Sequence, residues 1–284
     1  MRLLVFGAGG MLGRALVAEA KAREWVVYGA THAEVDVADG DAVRAAVGAF
    51  APELVVNAAA LTQVDRCESE REQAFRVNAE GAGTIASACA AAGARLIQVS
   101  TDYVFDGTAR APIPETAEPG PLSVYGASKL EGERRAAGSG AAVLLVRTSG
   151  VFGRGGANFV DTVTRRLRAG DELRVVDDQL TAPTYAPFLA RAIADLGESG
   201  ATGIVHYRNR EPLSWFELAR AVADELGSAG VVEPTGSAEV ARPARRPAYS
   251  VLAVDRFESI VGRPVELWRD GVRAHLAGGP EERE

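Results

Sequence analysis

Tyr125 and Lys129 stand four residues apart in the run Val124-Tyr125-Gly126-Ala127-Ser128-Lys129. On a helix that spacing puts both side chains on one face, where they can serve one site. The chemistry such a pair offers is carbonyl reduction, in which a proton must reach oxygen as hydride reaches carbon. A free tyrosine, with a pKa of about 10, is a poor acid–base group at neutral pH. A lysine ammonium beside it stabilises the phenolate and lowers that pKa. The same ammonium could hold the ribose of a nicotinamide. Only Lys21 and Lys129 are lysines among 31 basic residues, so this spacing is not readily produced by chance. The reaction also needs a hydroxyl for the carbonyl oxygen. Thr101, in Ser100-Thr101-Asp102 after an apolar run, can do that or can simply cap a turn.

A second chemical signal lies at the start of the chain. Gly7, Gly10 and Gly13 give a GxxGxxG spacing between the apolar run Leu3 to Phe6 and a helical pattern from Gly10 to Lys21. A chain that must turn sharply, approach a pyrophosphate with its backbone and aim a helix N-terminus at the charge needs this arrangement. The second apolar run ends in Tyr28-Gly29-Ala30-Thr31-His32, with no acid at its tip. Without a carboxylate to repel a 2′-phosphate, the preference leans to NADP(H) over NAD(H). Arg14 and His32 could accept that phosphate or could be solvated surface residues.

The elements that must hold these groups follow from periodicity. Strands are predicted at Leu3–Phe6, Trp25–Tyr28, Leu54–Val56, Leu96–Val99 and Ala142–Val146, and helices at 41–50, 68–92 and 122–137. Apolar runs without alternation belong to strands buried on both faces, and alternation of β and α marks a doubly wound sheet. The second half is less regular. Helices are predicted at 158–169, 185–196, 215–226 and 266–276, strands at 173–176 and 204–207, and a loop at 234–247. The expected class is therefore α/β, a Rossmann-type doubly wound parallel sheet with a smaller C-terminal α/β substrate lobe. The expected division is 1–152 for the dinucleotide domain, completed by 177–206, then 153–176 and 207–277 for the substrate lobe, with a flexible tail at 278–284.

The bulk numbers exclude several classes. With 284 residues, 47% hydrophobic and 24% charged, the chain has the make-up of a folded globular protein. Its net charge of -7 gives no electrostatic footprint for nucleic acid. No apolar stretch is long enough to span a membrane. Met1-Arg2 runs straight into a strand with no leader pattern, so a cytoplasmic location is expected. Cys67 and Cys89 make no disulfide framework, and the histidines at 32, 206 and 275 are scattered, so no metal is expected. Trp215 and Phe216, at helical spacing with Leu218, read as core.

Beyond these physical signals, several runs resemble the dTDP-4-dehydrorhamnose reductase family of extended short-chain dehydrogenases/reductases. They are GAGGMLG from Gly7, Asn57-Ala58-Ala59-Ala60, Val64 to Glu68, Val77-Asn78, STDYVFDG from Ser100, PLSVYGASK from Pro121 and Arg147-Thr148-Ser149. The later segment from Asp178 to Thr184 is similar to the family's DQxGxPT, and the arginine–proline loop at 242–247 to its proline-rich segment. The resemblance implies hydride delivery from NADPH or NADH to C4 of a dTDP-linked 4-keto-6-deoxyhexose, with Tyr125 as proton donor and Lys129, Thr101 and Asp102 beside it. It implies cofactor contacts from Gly7, Gly10, Met11, Leu12, Gly13, Asp36, Val37, Ala58, Ala59, Ala60, Asn78, Tyr125, Lys129 and Thr148. For the nucleotide sugar it points to Thr101, Asp102, Tyr103, Asn158 and Gln179, although Asn158 also suits a plain helix N-cap. Arg242 to Arg246 could pair with a nucleotide diphosphate or form a solvated loop. A homodimer is the assembly the family suggests. Two positions depart from the pattern: Gly150 replaces a tryptophan expected to shape the sugar pocket, and Thr181 replaces a glycine. A nucleotide-sugar epimerase and a non-catalytic NADP-binding regulatory subunit, like that of methionine adenosyltransferase, are the competing readings.

Overall fold

The computed structural model describes residues 1–278; residues 279–284 of the expected tail lie outside them. The chain begins β1 (Arg2–Phe6), α1 (Met11–Ala22), β2 (Val26–Ala30), α2 (Gly40–Phe50), β3 (Leu54–Asn57), α3 (Val64–Ser69), α4 (Arg71–Phe75) and α5 (Gly81–Ala92). It continues through β4 (Arg95–Thr101), α6 (Val124–Ala137), β5 (Val143–Thr148), β6 (Val151–Phe152), α7 (Phe159–Arg168), β7 (Leu173–Val176), β8 (Leu180–Thr181) and β9 (Thr184–Tyr185). The remaining elements are α8 (Ala186–Ser199), β10 (Gly203–His206), β11 (Leu213–Ser214), α9 (Trp215–Glu225), β12 (Val232–Thr235), α10 (Asp255–Val261) and α11 (Trp268–Ala277).

Six strands form one parallel sheet in the order β10-β5-β4-β3-β1-β2. Every residue of β3 and β5 is buried, which requires helices on both faces. On one face, Leu12 and Leu16 of α1 pack with Leu189, Ile193 and Leu196 of α8. On the other, Val43 and Val47 of α2 join Ile85 and Cys89 of α5 and Ala136 of α6. Each large aliphatic side chain so buried contributes roughly 1.5–3 kcal/mol. The chain goes from β1 outward to β2, then returns to β3 on the other side of β1. That reversal opens a crevice at the carboxyl ends of β1 and β3, where ligands bind in doubly wound sheets.

A second cluster lies apart from the sheet. Val163 and Leu167 of α7, Leu218 and Val222 of α9, and Trp268 and Val272 of α11 pack around Leu173 and Val175 of β7. Two-stranded ribbons join β7 to β12, β8 to β11 and β6 to β9.

Three expectations are corrected. The single helix predicted over 68–92 is broken at Glu70 (φ -116°, ψ 50°), and Arg76–Glu80 is a π-helical turn before α5. Alanine-rich periodicity hides such a break, because a π turn changes hydrogen bonding more than composition. The predicted loop at 234–247 starts inside β12, whose register on β7 pairs Pro234 with Val175. The short helix α10 was not anticipated; its Phe257 is fully buried against the sheet face that also carries α8.

Candidate active site

The glycine turn builds the first part of the site. Gly7 has φ +79°, and a Cβ there would come within 2.6 Å of the Ala59 amide nitrogen. A Cβ on Gly13 would lie 2.1 Å from the Gly7 carbonyl oxygen. Glycine at both positions lets β1, α1 and the loop after β3 meet backbone to backbone. Gly10 caps α1 without a side-chain hydrogen bond, so the first-turn amides of Met11, Leu12 and Gly13 remain for an anion. Donors of this kind beside a bare backbone fit a pyrophosphate.

A groove of about 450 Å³ runs from that turn past His32, Asp36, Val37 and Ala58 to Ala60. Gly7 and Gly10 line it as well. The Arg76 side chain hydrogen-bonds Asp36 and holds its carboxyl below the usual range. Glu34 accepts from the Thr31 amide at 2.8 Å and from its hydroxyl at 2.7 Å, so it braces the tip of β2. Arg14 donates through Nε to the Gly9 carbonyl at 3.0 Å.

The groove joins a larger cleft of about 610 Å³, with Gly10, Ala58, Ala60, Thr62 and Gln63 lining both. Met11, Leu12 and Gly13 line the cleft from one end. Thr101, Asp102, Tyr103, Tyr125, Lys129, Thr148 and Gln179 also reach it. Ser123 starts α6 by accepting from the Gly126 amide at 3.2 Å, which fixes Tyr125 in the first turn. Burial holds the Tyr125 phenol well above its ordinary value, and the nearby Thr101 side chain pulls it down by less. This corrects the expected lowering by Lys129. The buried Lys129 ammonium instead donates to the Val99 carbonyl at 2.7 Å, and burial brings its pKa down to about 8. Thr101 Oγ1 donates to Asp102 Oδ1 at 3.0 Å. Asp102 is 2% exposed, and burial pushes it up to about 6 against the opposing influence of the neighbouring Ser250 and Thr101 hydroxyls. Its Oδ2 has no partner among the described residues. Tyr103 meets the Tyr125 ring edge-on at 5.8 Å, and burial raises its phenol to about 12.

Two expected ligand contacts are drawn elsewhere. Asn78 is buried, accepting from the Leu61 amide at 2.8 Å and donating to the Leu61 carbonyl at 3.1 Å and Ser128 Oγ at 2.9 Å. Its amide braces the cofactor loop against α6 and lines neither groove nor cleft. Asn158 caps α7, accepting from the Asp161 amide at 2.9 Å and donating to the Gly153 carbonyl at 2.9 Å. Of the arginine loop, Arg246 binds Asp65 through two bonds of 2.8 and 3.0 Å. Arg242 makes no ion pair among the described residues, and burial and Arg246 hold its guanidinium below the ordinary value. Pro247, Ser250, Leu180, Thr181, Gly150 and Trp215 also line the cleft, so Trp215 is no ordinary core residue. Its indole faces a space that helical spacing cannot reveal. Among the described residues no group of three His, Cys, Asp or Glu is placed to hold a metal. No described helix is long and apolar enough to cross a membrane.

A parallel sheet with a glycine turn after β1 and a tyrosine–lysine helix beside β4 defines an extended short-chain dehydrogenase/reductase. The family model described as RmlD substrate binding domain matches residues 1–279, and the chain belongs to that family. It is 41% identical to a dTDP-4-dehydrorhamnose reductase of Mycolicibacterium smegmatis over 97% of this chain and 85% of the relative. It is 38% identical to the spore coat polysaccharide biosynthesis protein SpsK of Bacillus subtilis over 97% and 96% of the two chains. The structure superposes with a TM-score of 0.94 on a Bacillus anthracis dTDP-4-dehydrorhamnose reductase in complex with NADP, at 32% identity and covering 98% and 99% of the chains.

Proposed function

We propose that this chain is an NAD(P)H-dependent reductase of the 4-keto group of a dTDP-6-deoxyhexose, converting dTDP-4-dehydrorhamnose to dTDP-rhamnose. The observation that carries this reading is the adjoining pair of Thr101 and Tyr125 hydroxyls where a dinucleotide-shaped groove opens into a second cleft. The M. smegmatis relative and the B. anthracis neighbour carry the name of that activity, and the neighbour's complex with NADP favours NADP(H), with NAD(H) as the alternative.

In this reading the amides of Met11 to Gly13 bind the pyrophosphate, and Asp36, Val37 and Ala58 to Ala60 flank the adenosine end. A nicotinamide held there would supply hydride to the sugar carbon. Thr101 orients the carbonyl oxygen. Tyr125, kept protonated by its burial, gives up its proton there. Lys129 supplies positive charge at the nicotinamide end, and Gln179 and Tyr103 contact the sugar nucleotide. The sheet, with α8 and β10, serves as the dinucleotide domain, and the cluster around α7, α9 and α11 as the substrate lobe. The two unpaired, buried cysteines suit a reducing cytoplasm.

The test follows NADPH absorbance with dTDP-4-keto-6-deoxyhexoses of both C5 configurations. Oxidation that depends on the keto-sugar is expected. Tight NADPH binding with no oxidation by either sugar would replace the enzyme reading with the regulatory one.

A further inference from the structure

The lining of the cleft includes both polar and apolar groups. Thr101, Asp102, Tyr103 and Tyr125 bring hydroxyls and a carboxyl. Val151, Ala157, Leu180 and Trp215 bring side chains of carbon and hydrogen, save one indole N–H, and Gly150 adds no side chain beside them. Leu180 is 41% exposed, unusual for a large apolar side chain here, and it lines this cleft.

Gly150 lies in the left-handed region at φ +50°. A Cβ there would sit 3.2 Å from Pro183 Cα and 3.5 Å from Trp215 Cη2. Any longer side chain at 150 would therefore reach over the outer edge of the indole. Glycine leaves that edge bare. Behind it, Trp215 is tightly held. It is the first residue of α9, whose N-cap Ser214 accepts from the Glu217 amide at 3.1 Å while Glu217 accepts from the Ser214 amide at 2.7 Å. The Phe159 ring packs against it, tilted by 59° with the centroids 4.8 Å apart. A rigid indole, packed from behind and open in front, costs little entropy when a ligand covers it, and its large apolar area favours C–H surface over hydroxyls.

We infer that Trp215, bared by Gly150 and extended by Leu180, is the apolar platform that recognises the C–H-rich face of the sugar ring. This rests on the keto-sugar reading above and names the residues that select a deoxyhexose within it. Polar groups of the ring then turn to Thr101, Tyr103 and Gln179, which orients the keto carbon towards Tyr125.

The test uses Trp215→Ala and Trp215→Phe with a dTDP-4-keto-6-deoxyhexose as substrate and dTDP as competing ligand. Trp215→Ala should raise KM about 10- to 100-fold, with kcat changed less than about 3-fold and the inhibition constant of dTDP unchanged. Trp215→Phe, which keeps the contact with Phe159, should recover most of the loss. An unchanged KM, or a KM and a dTDP constant that rise together, would overturn the inference while leaving the reductase reading intact. Should the wild-type protein reduce no such sugar, the function fails separately, and tryptophan emission decides. Titration with dTDP-rhamnose should then alter emission in the wild type and not in Trp215→Phe, while dTDP alone should not. No sugar-dependent change sinks the inference.

Discussion

At the glycine turn of the dinucleotide end, main chain approaches main chain, with Gly7 and Gly13 admitting the close approaches. At the sugar end the surface is made by side chains drawn from β4, α6, β8, α9 and the segment before α10. The first end is organised around one short turn; the second depends on six separated segments, the stretch from Gly150 to Ala157 among them, arriving together. A substitution in the turn should therefore disturb fold and cofactor at once, whereas one at the sugar end can change selectivity with the fold preserved.

The largest effect expected is at the chemical centre, where the two ends meet. Tyr125→Phe should bind NADPH normally and lose turnover by about 10²–10⁴-fold, the range for removal of a general acid. Single-turnover kinetics beside a cofactor titration check it, and normal activity would remove Tyr125 from the mechanism. Next is Gly13→Ala, which drives a methyl into the Gly7 carbonyl. Overpacking costs about 1–3 kcal/mol and occasionally more; the upper end is expected here because backbone must move. Urea unfolding and NADPH affinity should both decline, and an intact variant would show that the turn is looser than the contacts imply.

The third effect sharpens the contrast from the sugar end. Burial raises Asp102 from its ordinary value to about 6, so the folded protein holds a proton that the unfolded chain releases. This contribution is fully present below the unfolded pKa, near 4, and is lost as pH rises through about 6. A rise of about two units corresponds to about 3 kcal/mol. Between pH 4 and pH 7, Asp102→Asn should gain up to that amount relative to wild type in paired denaturation curves. A constant difference across that range would contradict the burial argument.

Features set by local sequence were legible before the fold was known. The glycine turn, the Tyr125–Lys129 face and the continuous strands depend on spacing within a few residues. What escaped depends on distance. Trp215 reads as core because periodicity reports which side of a helix is apolar, not whether the neighbouring space is filled. Asn78 and Asn158 carry the right chemistry for ligand contacts, yet their amides are consumed by backbone groups that only the fold brings near. The expected electrostatic role of Lys129 assumed proximity alone, whereas its ammonium also donates to the Val99 carbonyl, which fixes where it points.

Asn78 also joins two parts that act on different molecules. Its amide grips Leu61 of the cofactor loop, and through Ser128, whose hydroxyl donates to the Tyr125 carbonyl at 2.8 Å, it reaches the turn of α6 that carries the acid. The Asn78 and Ser128 side chains that make these bonds are buried, so releasing either part would strand polar groups away from water. Loop and helix consequently share one opening event: amide hydrogens on both sides should exchange with solvent as a single cooperative unit, and anything that steadies the loop steadies the proton donor with it.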